Sequence, residues 1–549
     1  MRKRTWLPYA GVGLCAFLVY LLTLSRNLVA SHDSVEYING IDSHVWFFHP
    51  HHLLYHVAAM LWLSLFQTFG VTTDSALIVE SLNALFGAAT VALIFYILKE
   101  KFGNSTKNAL STTVLIACSF GFWYYSLNVE IITIPQFFLV LSLVFLLRSP
   151  LRTKDLVLTG VFQGIAILFF QVHVLFIIPV FLRIYFLKEN TAFPSKAKAF
   201  GSYLLPAAGL PILGYALVLI FNIHPHSLNE AMLWMTKYAH EMSDAWTVPS
   251  LQSLKKASIG FTHSIVGGQF LFAVPWFAQH TAEIFGKHEL RDEFFLAHSI
   301  SPIVSELLLV AAAIIALIVI YVVAVSIPSL KKIYLGQKTL LLPILSFFIV
   351  YCIFFFVWDP VDFQFWIMQS ILGWILLDRM LALSRQKNPK RTAVFRVVLP
   401  LLLVSVNFFG SIVLLHNESN DYFYMQSTAL AKHVSPRDLI VTDQAWIEGD
   451  YYERFAKLPV FSPQAFAKET NSDTLQRRFQ QQVRLSLQIG GRVWLSFSLP
   501  SRDTTDSVSA SFRALWDRTI DTIPIQINRQ LIWKQEYEVV SRSQHGVAE

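Results

Sequence analysis

Long apolar runs separated by short polar stretches fill the first 415 residues, and the pattern changes after them. A helix crossing a bilayer needs about 20 mainly apolar residues. Runs of this kind cover 6–24, 75–98, 109–127, 130–147, 200–223, 302–328, 340–358, 363–383 and 396–415. Two shorter runs, 156–170 and 172–187, have to be bent or shielded, and with them eleven spans are expected. Leu53 to Gly70 is a further apolar segment that either crosses or lies along the surface. If it lies along the surface, the clusters Lys99/Lys101/Lys107, Arg148/Arg152/Lys154, Arg183/Lys188/Lys196/Lys198, Lys331/Lys332/Lys338 and the run from Arg385 to Arg396 share one side with Arg2, Lys3 and Arg4. That is the arrangement the positive-inside rule favours. His56, Ser64 and Gln67 also suit an interfacial helix. The segment is therefore expected to be a juxtamembrane helix.

This choice places the N-terminus in the cytoplasm and leaves 25–74, 224–301 and everything after about 416 on the extracytoplasmic side. All 17 histidines then fall on or near that outer side. The loop 224–301 is too long and too aromatic for a bare connection, so helices of its own are expected, for example around Leu228 to Met242, with a segment from Ser264 to Phe277 dipping into the interface.

After Asn417, Leu439–Thr442, Pro459–Phe461, Val493–Phe497 and Leu531–Trp533 have the length and β-branched or aromatic content of strands. Gln444–Phe455, Thr474–Leu487 and Val508–Thr519 have helical spacing between them. The expected architecture is an α-helical polytopic membrane domain over 1–415, followed by a small extracytoplasmic α/β domain over 416–549 with some parallel pairing. No Gly-rich phosphate loop follows any of its strands.

Composition agrees with a membrane protein. The chain is 54% hydrophobic and 14% charged, against about 25% charged residues in soluble domains. The formal charge of +7 comes from short basic clusters between apolar runs, which set topology rather than form a groove for nucleic acid. Cys15, Cys118 and Cys352 lie inside apolar runs, so three buried thiols and no disulfide are expected. Trp6 to Leu24 is too long for a cleaved signal segment and is expected to be retained.

Candidate chemistry gathers at the outer ends of the runs. Asp33 and Glu36 are three residues apart, on one face of a helical turn; alternatively Ser31, Asp33 or Ser34 simply caps the helix that follows. Glu130 follows a very tight turn and stands near Trp123, Tyr124 and Tyr125, whose rings suit stacking on a sugar or an ordinary interfacial belt. The cluster His49-Pro50-His51-His52 suits hydrogen bonding to a phosphate. No metal is assigned to it, because no acid or cysteine stands at a ligand spacing. His173, between two short apolar runs, marks a polar cavity. Lys237 is a further candidate for phosphate, and Asp359 and Asp362 flank Pro360 at a turn that either lines the same cavity or is only a turn. Asn417-Glu418-Ser419 is a glycosylation triplet.

The succession His32-Asp33-Ser34-Val35-Glu36, His49-Pro50-His51-His52-Leu53-Leu54-Tyr55, Ser81 to Val91 and Phe122 to Glu130 resembles the GT-C class of polytopic glycosyltransferases. Within that class it is most similar to bacterial relatives of transmembrane protein O-mannosyltransferases. The resemblance covers residues 6–190, and the later spans only in layout. His51-His52 stands where relatives carry a small Pro-Gly-like continuation, and Ile131-Ile132 where Val-Tyr is common.

The resemblance implies a metal-independent or weakly metal-dependent inverting transferase that uses a polyprenyl-phosphate sugar and serves a protein or glycan acceptor outside the cytoplasm, with no cofactor assigned. Asp33 would be the catalytic carboxylate and Glu130 a second acid near the site. Glu36, His49, His51, His52, Trp123, Tyr124, Tyr125, His173, Lys237, Asp359 and Asp362 would bind substrate in a cavity built from the first loop, the 128–130 and 171–173 turns and the 224–301 loop. Two other readings are a transporter or lipid-linked sugar flippase, and a non-catalytic scaffold with this fold. The first needs ionisable groups near the bilayer midplane, whereas here they collect at one rim.

Overall fold

The computed structural model describes residues 6–31, 33–44, 47–186, 196–241, 245–285, 290–442, 445–461, 472–496, 516, 519 and 525–543. Among them each expected span is helical, and six helices are long and apolar enough to cross a membrane: Ser75–Lys101, Lys196–Ile223, Pro302–Gly336, Lys338–Val357, Phe363–Ser384 and Pro389–Leu415. The chain is an integral membrane protein. Leu7–Leu22, Thr133–Leu146 and Gln171–Phe186 are shorter apolar helices. Tyr55–Thr68 has 14 residues and so reaches about 21 Å at 1.5 Å per residue, short of a hydrocarbon core of about 30 Å.

The polypeptide divides into two compact units. The first is Met1–Ser25, Gly40–Glu289 and Ala297–His416, and the second is Arg26–Asn39, Leu290–Leu296 and Asn417–Glu549.

In the first unit, Thr153–Phe169 packs on Thr133–Leu146 and on Lys196–Val218. Gly160 and Gly164 permit the second contact. A Cβ on Gly160 would stand 2.2 Å from the carbonyl oxygen of Tyr203, and one on Gly164 would stand 2.9 Å from that of Pro206. Glycines four residues apart allow two backbones this approach. The expected span 109–127 is broken: helix Thr106–Ala117 ends and a short helix Phe120–Tyr125 begins after Ser119. Asn407 donates to the freed carbonyl of Cys118 at 2.7 Å, and Trp374 donates to the Ser119 hydroxyl at 2.7 Å. The loop after residue 224 forms helices Leu228–Glu241, Leu251–Ile265 and Pro275–Phe285. Between them the N–H of Gly267 donates to Asn407 at 3.0 Å. The expectation of three buried thiols fails at Cys15, which is exposed, while Cys118 and Cys352 are half-buried. Cys15 sits on the outward side of Leu7–Leu22, a helix with only Tyr9 and Tyr20 buried.

The second unit holds a five-stranded sheet of β1 (Leu439–Val441), β2 (Val460–Phe461), β3 (Val493–Leu495), β4 (Ile525–Ile532) and β5 (Gln535–Arg542). Its order is β2-β1-β3-β5-β4; β1 runs parallel to β2 and β3, and β5 is antiparallel to β3 and β4. Side chains of β1 and β3 alternate between two cores. Leu439, Val441, Val493 and Leu495 meet Phe479, Val483 and Leu487 of helix Ser472–Gln488, while Ile440 and Trp494 meet Tyr452 and Tyr537. Burial on both faces is what parallel strands require. The sequence reading misses β5 and most of β4, whose residues are largely polar. They pair through a hairpin that turns at Trp533, which holds φ 55°. The expected helix Gln444–Phe455 is helical over its described residues, in wide π form at Ala445–Gly449 and Tyr452–Ala456. The expected helix 508–519 lies, except for Trp516 and Thr519, outside the described residues.

Segment 26–39 belongs to this second unit. The N–H of Leu28 donates to the Asp421 carboxylate at 3.0 Å, and the Asn39 amide donates to the carbonyl of Asp450 at 3.0 Å.

Candidate active site

The candidate residues fall in both units. In the second unit, Asp33 stands immediately before helix Ser34–Ser43, and its carbonyl accepts the first intrahelical bond, from Tyr37, at 2.9 Å. The Ser31 hydroxyl accepts from the N–H of Ser34 at 3.2 Å, so a capping partner is present beside the acid. The half-buried Asp33 carboxylate accepts from the Tyr37 hydroxyl at 3.3 Å. Glu36 is one turn further on and faces Asp450. Burial, and then the Glu36 charge, raise the Asp450 carboxyl to about 7. Asp421, which ties Leu28 in place, is raised by burial to about 6, opposed by the hydrogen bonds it accepts from Tyr451, Tyr424 and Leu28.

In the first unit, Glu130 is buried at the end of the tight turn. Its carboxylate accepts from the N–H of Ile131 at 3.2 Å. The side-chain amide of Asn83 donates to the carbonyls of Asn128 and Glu130 at 2.6 and 2.7 Å. Tyr55 lies against the same group, and its phenol is raised well above 10 by burial and then by Glu130, with Glu80 adding to the effect. Trp123, Tyr124 and Tyr125 are buried. Trp123 stacks on Phe408, Tyr124 on Phe120, and Tyr125 tilts against Phe363.

The histidine loop is pinned through a carbonyl. Pro50 C=O accepts from Gln171 at 2.8 Å and from the Tyr215 hydroxyl. One 3₁₀ turn over Pro50–His52 then stacks the His49 and His52 rings at 4.4 Å, as i and i+3 side chains eclipse in such a turn. His51 sits edge-on against Phe170 at 4.6 Å. Burial and then the imidazoles of His49 and His173 lower His51 to about 3; burial and then the His49, His51 and His56 rings lower His52 well below its usual value.

His173 follows Phe170. Its Nδ1 lies 2.9 Å from the Tyr351 hydroxyl, and its carbonyl accepts from Gln163 at 3.0 Å. Its Nε2 is buried with no hydrogen-bond partner among the described residues. A small cavity opens beside it, lined by polar Gln136, Tyr351 and Gln364 among apolar Phe170, Phe355 and Met368. The cavity thus unites the 171–173 turn with the helix that follows Glu130. Among the described residues, loop 224–301 supplies none of the lining of this small cavity. Asp359 and Asp362 do not line it either. Asp362 accepts from the N–H of Gln364 at 3.0 Å and so orients a side chain that does, and burial raises its carboxyl to about 7. Lys237 lies in helix Leu228–Glu241.

Sequence reading pairs Gln171 with His173 but misses Gln136, Gln163, Tyr351, Asn83 and Glu80. The signal was present, since each is a polar group inside or at the edge of an apolar run, where an unsatisfied polar atom is costly.

Residues 53–220 match the family model for dolichyl-phosphate-mannose-protein mannosyltransferase. The structure of ArnT from Cupriavidus metallidurans in the apo state is similar at a TM-score of 0.54, with 11% identity and 97% of each chain covered. The same protein bound to undecaprenyl phosphate gives 0.51, with 12% identity and again 97% of each chain. The fold is GT-C. No curated protein matches the chain in sequence. The resemblance seen in the early motifs therefore extends, as fold alone, over 97% of the chain.

Proposed function

We propose that this GT-C protein transfers a sugar from a polyprenyl phosphate to a hydroxyl acceptor on the extracytoplasmic face. Its N-terminus is cytoplasmic and its α/β domain lies outside. The observation that carries the reading is the fold shared over 97% of both chains with a protein whose structure holds undecaprenyl phosphate. The family model over 53–220 supports it, because that family is named for a lipid-phosphate sugar donor.

In the reaction the acceptor oxygen attacks the anomeric carbon from the face opposite the leaving group. The bond from that carbon to the phosphate oxygen breaks, and the polyprenyl phosphate departs with the electron pair. The new glycosidic bond forms with inversion, and the acceptor proton passes to a carboxylate. Asp33 is the carboxylate we assign. It is half-buried and precedes a helix N-terminus, where an anion is stabilised. Polar hydrogens for the leaving phosphate come from His49, His173 or Lys237.

The test is transfer from lipid-linked sugars in proteoliposomes. Asp33→Asn should lower kcat by about 10²–10⁴-fold, the usual worth of a general base, with unfolding temperature held. Undiminished turnover in that variant would overturn the assignment of Asp33. Sugar-lipid movement across the bilayer without turnover would favour the flippase reading.

A further inference from the structure

Among the described residues, His49, His51 and His52 form a group of ligand atoms that the proposed chemistry leaves without a full account. One nitrogen from each of the three imidazoles lies within 4.8 Å of the other two. We propose that these three side chains hold a divalent transition-metal ion of the zinc class, leaving one coordination position open.

The first ground is distance. Zinc bonds imidazole at about 2.0–2.1 Å in a tetrahedral shell, so two of its nitrogen ligands stand about 3.3–3.4 Å apart. The Nδ1 atoms of His51 and His52 are 3.3 Å apart. The three nitrogens lie within 4.8 Å of one another, so binding has to close the widest gap by at most roughly 1.5 Å.

The second ground is support. A site holds a metal well when its ligands sit on a backbone fixed by other groups. The carbonyl of Pro50 is gripped by Gln171 and Tyr215, Leu53 is buried against Leu168 and Val218, and the N–H of Leu54 donates to Leu168 at 3.1 Å. The three rings are thus carried on a turn held by two other helices.

The third ground is the donor set. Three imidazoles with no carboxylate or thiolate suit zinc, cobalt, nickel or copper and disfavour magnesium and calcium, which take oxygen ligands. Three protein ligands leave a fourth position for water or an oxyanion. If the proposed function holds, a phosphate oxygen of the donor lipid is the oxyanion of that chemistry; the metal site itself does not depend on that reading.

The experiment uses the full chain, purified without a histidine tag, stripped with chelator and titrated with Co²⁺ and Zn²⁺ at pH 7.5. We expect one equivalent of Co²⁺ with the visible absorption of a tetrahedral ion, displaced by Zn²⁺. His51→Gln and His49→Gln should each weaken binding at least tenfold while leaving the metal-free unfolding temperature unchanged. Added Mg²⁺ should not compete. Binding that is absent, or of equal strength in both variants, would overturn the proposal. Neither outcome bears on sugar transfer, which is read separately.

Discussion

The side-chain amide of Asn83 bridges the carbonyls of Asn128 and Glu130 at 2.6 and 2.7 Å, inside a region sealed from solvent. A tight turn between two apolar helices leaves carbonyls that water cannot reach, and here one side chain satisfies two of them. Asn83→Leu removes both bonds and leaves both acceptors buried. At about 1–3 kcal/mol for each unsatisfied group, the first unit should lose several kcal/mol, seen as a lower unfolding temperature in detergent. Asn83→Asp offers no donor and should fail similarly. Full stability in both variants would show that the turn holds itself.

Helix Thr153–Phe169 meets Lys196–Val218 through Gly160 and Gly164, and the same interface carries Gln163, whose amide donates to the carbonyl of His173. A methyl group on Gly160 would collide with backbone at 2.2 Å, not with a flexible side-chain end. Overpacking of this kind costs about 1–3 kcal/mol or more. Gly160→Ala should therefore lower the unfolding temperature and displace His173, while Ala166→Gly on the same helix should not displace it. Cross-linking between cysteines placed on the two helices reads the separation directly.

The membrane architecture was legible because bilayer thickness imposes a length on every apolar run, and helices stand where eleven such runs were expected. The break at Ser119 was not, since Asn407 and Trp374, nearly 290 and 255 residues away, satisfy it. Parallel pairing of β1, β2 and β3 was readable from their apolar content, whereas β4 and β5 hide in polar sequence because β4 is mostly exposed. At the site, histidines and acids announced themselves by type. The residues that position them did not: Gln171 and Tyr215 act on Pro50 from far along the chain, and no local pattern encodes that meeting. Sequence reading assigns no metal to the three-imidazole cluster for want of an acidic or cysteine ligand, and the 3₁₀ turn that brings a nitrogen of each ring within 4.8 Å of the others is not visible in the spacing alone.

His173 Nδ1 lies 2.9 Å from the Tyr351 hydroxyl, which links the 171–176 turn to helix Lys338–Val357, and both residues line the small cavity. Tyr351→Phe keeps the ring and deletes the hydroxyl. Removing this bond should cost about 1 kcal/mol of stability and free Nδ1, so the imidazole no longer has a fixed tautomer. If His173 donates to the leaving phosphate, KM for the lipid donor should rise while His173→Ala adds little further loss. Additive losses in the double variant would mean that the two residues act independently.

Asp450 provides a pH signature for the second unit. Its carboxyl is raised to about 7, first by burial and then by Glu36, whereas an unfolded aspartate titrates near 3.9. A group whose folded pKa is raised contributes its stability below the unfolded value and loses it as pH rises through the folded one. Between about pH 4 and 7, then, the folded chain keeps a proton that the unfolded chain has released, and stability falls as pH rises. Asp450→Asn cannot ionise and escapes that cost, although its carbonyl still accepts from Asn39. Hydrogen exchange of peptides from 26–39 and 445–461, corrected for intrinsic rate, should show equal protection in wild type and variant near pH 4. At pH 8 the variant should be better protected. Glu36→Gln should give part of the same gain, because it removes the second cause and leaves the first. A wild type as well protected as Asp450→Asn at pH 8 would mean that Asp450 ionises in the folded chain without penalty.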